Sequence, residues 1–149
     1  LFKKYDVLSP AEVESRMHIA IEKYVKQLTI EAETMISIAR SQILPAAIEH
    51  QALLAQSVSA TEAAAVECEE DREALREFVG HVSRLRGAIV TLEKACAHHV
   101  ADPHKHATHI NAKVKPAMDA LREVVDTLEL HVAADLWPLP TYRALLFLK

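Results

Sequence analysis

Between Leu75 and Cys96 the apolar residues Leu75, Phe78, Val82, Leu85, Ile89, Leu92 and Cys96 recur three and four positions apart. That spacing lines one face of a helix, and a strand, whose faces alternate at every second residue, cannot present it. A stripe of this length needs another apolar helix face to cover it, so the chain is constrained to pack helix on helix. Ile110, Val114, Ala117, Leu121, Val124 and Leu128 repeat the pattern downstream, and Val13, Met17, Ile21, Tyr24, Leu28, Met35, Ala39 and Ile43 do so upstream. Apolar residues also fall off the upstream stripe at Ile19, Val25, Ile30, Ile36 and Ile38. A helix of that kind buries more than one face and leaves its first turns free for another surface. Only two glycines and 5% aromatics in 149 residues leave little material for turns or strands. The fold class expected is all-α, without sheet.

Caps set the expected boundaries. Ser9-Pro10-Ala11-Glu12 combines an N-cap hydroxyl, a proline at the first helical position and a glutamate able to return a bond to the cap. Helix 1 is read from there, over about 10–57, a rod of roughly 70 Å. A second capping box, Ser59-Ala60-Thr61-Glu62, restarts the chain, giving helix 2 over about 60–101. Within it Gly80 and Gly87 sit off the seam and suggest close contact with a neighbour. Asp102-Pro103 closes helix 2 and caps helix 3, over about 103–134. Short connections make the economical arrangement a three-helix, up-down-up antiparallel bundle in one domain, 1–149. Pro45 and Pro116 each remove a backbone donor inside a helical pattern, which predicts a kink in helices 1 and 3. The alternative is that Pro45 ends one helix and Pro116 starts another. In the tail, 135–149, Pro138 and Pro140 hold the chain extended and Thr141 caps a short last helix.

The net charge is −4 with scattered lysines and arginines, whereas nucleic-acid binding needs a concentrated basic surface. Pairs such as Lys3 and Lys4, Arg84 and Arg86, or Lys113 and Lys115 read as solvated faces. No run approaches the ~20 apolar residues of a membrane span, and Cys68 and Cys96 are too few for a disulfide framework. The expectation is a cytoplasmic protein without nucleic-acid or membrane partners.

No nucleophile with its base, glycine-rich phosphate loop or paired-carboxylate site can be assigned, so no catalytic, cofactor-binding or metal residue is named. Glu67, Glu69, Glu70 and Asp71 read as a solvated helix face. His98, His99, His104, His106 and His109 crowd the Asp102-Pro103 turn, but without metal-site spacing they read as a polar turn that binds metal only adventitiously. His18, His50 and His131 read as isolated surface or edge residues. One rival chemistry is phosphotransfer: Gly80-His81-Val82-Ser83-Arg84-Leu85-Arg86-Gly87 looks somewhat like a histidine phosphotransfer helix, with His81 flanking the seam where its ring reaches solvent. Trp137, Tyr142, Leu145, Leu146 and Phe147 are the candidate interface residues. They either pack back onto the bundle or dock against a partner, where aromatic anchors concentrate binding energy.

Both ends of the chain resemble a known family. Lys4, Tyr5, Val7, Leu8, Ser9, Glu14, Ser15, Arg16, Glu22, Tyr24, Val25, Lys26, Ile30, Glu31, Ala32, Thr34, Met35 and Ile43-Leu44-Pro45-Ala46 carry the likeness at one end. Pro116-Ala117-Met118, Leu121, Arg122, Trp137, Pro138, Pro140, Thr141, Tyr142, Leu145, Leu146 and Phe147 carry it at the other. Together they are similar to the C-terminal helical region of type III glutamine synthetases; the likeness thins between about Ala47 and Lys115. The resemblance implies a non-catalytic fragment whose catalytic machinery lies upstream. For the intact protein it implies ATP-dependent joining of ammonia to glutamate, with a divalent metal (Mg or Mn), in a large homo-oligomer. The implied partners of this piece are the upstream catalytic domain of the same chain and further copies. The runner-up is an independent helical interaction or histidine phosphotransfer module.

Overall fold

The computed structural model describes residues 7–98, 100–140 and 142–146, and among them there are helices and no strands. α1 (Pro10–Ile38) starts where the first capping box places it. The Ser9 backbone N–H donates to Glu12 Oε2 at 2.7 Å and the Glu12 N–H donates to Ser9 Oγ at 3.3 Å, so two otherwise unpaired donors are satisfied reciprocally. A five-residue π turn, Ala39–Ile43, then leads directly into α2 (Leu44–Ala63). α3 (Glu69–Cys96) follows a short loop. α4 (Pro103–His109) is joined to α5 (Lys115–Glu129) by a second π turn, Ile110–Val114, and α6 (Tyr142–Leu146) ends the described chain.

The two π turns explain how the helices tolerate Pro45 and Pro116. Leu44 N–H donates to the Ala39 carbonyl, and Lys115 N–H donates to the Ile110 carbonyl, each five residues back. The next residue in each case is the proline. In a regular helix the ring would press on the carbonyl four residues earlier; a widened turn just ahead of it relieves that conflict and leaves no amide to satisfy. Helical backbone therefore continues across both positions, with φ −71° and ψ −47° at Ile43 and φ −71° and ψ −50° at Val114. Pro45 and Pro116 thus stand second in α2 and α5, where a proline needs no amide partner, each entered from a π turn without a break in helical backbone.

The first reversal falls later than the second capping box suggests. Ser59 lies inside α2, because the alanine-rich sequence around it has strong helix propensity and carries the rod to Ala63. The stop is a Schellman closure: Ala65 N–H donates to the Glu62 carbonyl at 2.9 Å and Val66 N–H to the Thr61 carbonyl at 3.3 Å, with Ala65 left-handed at φ 57°. α3 then begins at Glu69, with Glu69, Glu70 and Asp71 in the first turn, where their charge complements the helix dipole. It ends at Cys96, short of 101. Asp102 caps α4 by accepting from Lys105 N–H at 3.1 Å. The third rod leaves helical geometry after Glu129, not near Ala134.

Cross-links give the directions. Arg40 meets Glu93 while Glu62 meets Arg72, so α3 runs back along α1 and α2. His109 Nε2 lies 2.9 Å from the Ala95 carbonyl while the His81 and His131 rings lie 5.0 Å apart, so α4 and α5 run back along α3. The core between them contains Phe78, Val82, Leu85, Ile89 and Leu92 of α3 against Ile110, Val114, Leu121 and Leu128, which are the seam positions. Full burial of such a side chain contributes about 1.5–3 kcal/mol. The first rod contributes mostly small residues, Ala32, Ala39 and Ala47 beside Ile43, which let helix backbones approach closely. Gly80 and Gly87 do not mark such contacts, since a Cβ added at either meets nothing within 4 Å. They lie off the packed face, and proximity does not require them.

Candidate functional site

The tail divides into a packed part and an exposed part. Leu136, Trp137 and Leu139 pack against the core, and the Trp137 backbone N–H donates to the Ala133 carbonyl at 3.1 Å. The Trp137 indole nitrogen is buried without a protein partner, and the ring as a whole is partly buried against the bundle. Leu145 and Leu146 of α6 are 59% and 75% exposed. Leu145 edges an apolar groove of about 400 Å³ formed with Met35, Ile38, Leu121, Val125 and Leu139. Tyr142 opens α6, but its side chain, like Phe147, lies outside the described residues.

The histidines sort into pairs instead of converging. The His98 and His109 rings lie 4.7 Å apart, with His109 engaged by the Ala95 carbonyl, and His104 packs edge-on against His18 of α1 at 5.7 Å. His99 lies outside the described residues. Among those described, no three His, Cys, Asp or Glu side chains are grouped to hold a metal. His98, His106 and His109 instead line one wall of a cleft of about 620 Å³, whose other surfaces include Val25, Ile30 and Ile110. His18 is thus not isolated, and neither is His50, whose ring meets Phe78 edge-on at 4.9 Å.

His81 is the clearest correction to the sequence reading. It is buried, its ring lying between the α3 seam and His131, with Nδ1 at 3.2 Å from Arg84 Nη2. Burial, then the charges of Arg84 and His131, push its pKa below the usual histidine value; Glu77, 3.8 Å from Nε2, opposes them weakly. A phosphoryl-accepting imidazole must present a ring nitrogen to a partner protein, and this one presents neither. The missed signal was its own spacing, since His81 falls three residues after Phe78 and four before Leu85.

Within the acidic run, Glu69 is held by two arginines. Glu69 accepts from Arg72 at 3.1 Å and Arg76 at 3.4 Å, which keeps its carboxyl below the usual range, and Arg72 reaches back to Glu62 at 2.7 Å to clip α2 to α3. Arg40 grips Glu93 with two bonds of 2.5 and 2.7 Å, lowering the Glu93 pKa and raising that of Arg40. These surface pairs fix register more than they stabilise.

Comparison with known proteins adds what the geometry lacks. A family model described as the glutamine synthetase C-terminal domain matches residues 1–62, a span that takes in α1 and nearly all of α2. A type-3 glutamine synthetase from Dictyostelium discoideum is 30% identical across 100% of this chain. The chain belongs to the glutamine synthetase C-terminal family. A glutamine synthetase from Bacteroides fragilis (strain YCH46) is 26% identical over 96% of the chain. The chain spans 21% of the length of each of these relatives. Within this glutamine synthetase domain, the span matched by the family model provides one side of the helical core, and α3 to α5 provide the other.

Proposed function

We propose that this chain is a non-catalytic support domain of a type-3 glutamine synthetase, acting in assembly or in bracing the catalytic region. The observation that carries the reading is the match across all of this chain to one fifth of a glutamine synthetase. In the intact protein, ATP-dependent ligation of ammonia to glutamate, with Mg or Mn, would fall to residues outside this chain. The partners are then the preceding catalytic region and further copies in a homo-oligomer, and the compartment is the cytoplasm. None of the helices described is long and apolar enough to cross a membrane. The exposed α6 leucines, with Tyr142 and Phe147, supply the bracing contact in this reading, while Trp137 serves the bundle.

The test is made on the full-length protein. Removing the segment that corresponds to residues 1–149 should lower oligomer mass in light scattering or abolish glutamine formation. Leu145→Asp with Leu146→Asp should reproduce part of that loss while leaving the helicity of the domain intact. Unchanged mass and activity after removal of the whole segment would exclude a support role.

A further inference from the structure

α1 is longer than the bundle that covers it. Residues 11–20 are exposed throughout, and α4 begins alongside His18, whose ring meets that of His104. The core-facing stripe of α1 does not stop there. At 100° per residue Val13, Met17, Ala20 and Tyr24 fall within about 60° of one another, in line with Leu28 and Met35 further along. Leu28 and Met35 pack on the core, whereas Val13, Met17 and Tyr24 are 36%, 46% and 38% exposed. The same apolar stripe is thus covered along its second half and bare along its first. The bare half is not a frayed end, because both bonds of the capping box hold the helix start at Ser9.

We propose that this overhanging stripe is the seat of the polypeptide that precedes Leu1 in the full-length protein. The inference rests on the synthetase reading, in which a C-terminal domain occupying 21% of its relatives' length is preceded by most of the rest. Covalent geometry then selects the occupant. The nine residues Leu1–Ser9 reach at most ~32 Å when fully extended, and the stripe from Val13 to Tyr24 is ~17 Å long. Whatever enters at Leu1 is therefore tethered within reach of the stripe, at the millimolar effective concentrations typical of short linkers, against which a free partner or a second copy competes poorly. Contiguous exposed apolar surface on a rigid helix is what such a tethered neighbour covers.

Photo-crosslinking in the full-length protein tests this. p-Benzoylphenylalanine is placed at Met17 or Val13, on the stripe, and at Ser15 on the opposite face. The stripe positions should give a link within one chain, migrating at monomer mass and mapping to residues before Leu1, at least ~5-fold above the yield from Ser15. A link to a second chain, a link within residues 1–149, or equal yields from both faces would overturn the proposal. Glutamine synthesis by the unlabelled full-length protein is measured separately. An intrachain link in a protein without that activity would retain the contact and discard the enzymatic reading.

Discussion

Leu85→Ala removes three carbons from the middle of the α3 seam, at a side chain with 0% exposure and with Phe78, Val82 and Ile89 in the same buried cluster. At ~0.8 kcal/mol per buried methylene the lost transfer energy alone is about 2.4 kcal/mol. A core walled by large aliphatic side chains on neighbouring helices collapses only partly into the space, and the residual cavity brings the expected loss to about 3–4 kcal/mol. For a domain of this size that corresponds to a fall of about 10 °C in Tm. Arg86, the next residue, is exposed, and Arg86→Ala should change stability by less than about 0.5 kcal/mol. Urea titrations followed by circular dichroism compare the two directly. Coincident midpoints would mean that the seam does not face a packed core, and the helix assignments built on it would fail.

Two further perturbations probe the backbone and the buried imidazole. Ala65→Gly should stabilise by up to about 1 kcal/mol by relieving the left-handed strain, and Gly80→Ala and Gly87→Ala should each stabilise by about 0.5–1 kcal/mol because the added methyl meets nothing; thermal midpoints of the three variants check the signs. His81 has a folded pKa below the ordinary 6.5, so the unfolded chain binds the proton more tightly. Its stabilising contribution is complete above about pH 6.5 and is lost as the pH falls towards the folded value, with a slope of at most about 1.4 kcal/mol per pH unit. Denaturant midpoints between pH 7.5 and 5.5 should drop for the wild type and drop less for His81→Gln; parallel curves would remove His81 as the cause.

The elements most legible in the sequence were those with redundant signals. The α3 seam repeats over many turns, and Ser9-Pro10-Ala11-Glu12 combines three separate helix-start cues, so both lie where the residues placed them. Ser59-Ala60-Thr61-Glu62 carries the same cap pattern but sits in alanine-rich sequence, where continuing the helix satisfies more backbone than restarting it. The true stop at Ala65 was hidden because a left-handed closure is signalled by glycine, and alanine fills it here. The prolines signal a conflict in the sequence itself, but the π turn that resolves it follows from how the backbone relaxes. Spacing alone leaves His81 at the edge of the seam, where polar side chains are usually wet, and packing among its α3 neighbours and beside His131 is what buries it. At the tail, composition marks a set of apolar residues without dividing them, and three-dimensional packing separates partly buried Trp137 from exposed Leu145 and Leu146.

The role proposed for this domain is to support a ligase without performing its chemistry. It is tested most directly by measuring glutamine formed from glutamate, ammonia and ATP with Mg or Mn, in parallel for the full-length protein and for the isolated 149-residue chain. Turnover by the full-length protein and none by the isolated chain is the predicted result. Turnover by the isolated chain, with contaminating enzyme excluded, or an inactive full-length protein would contradict the account.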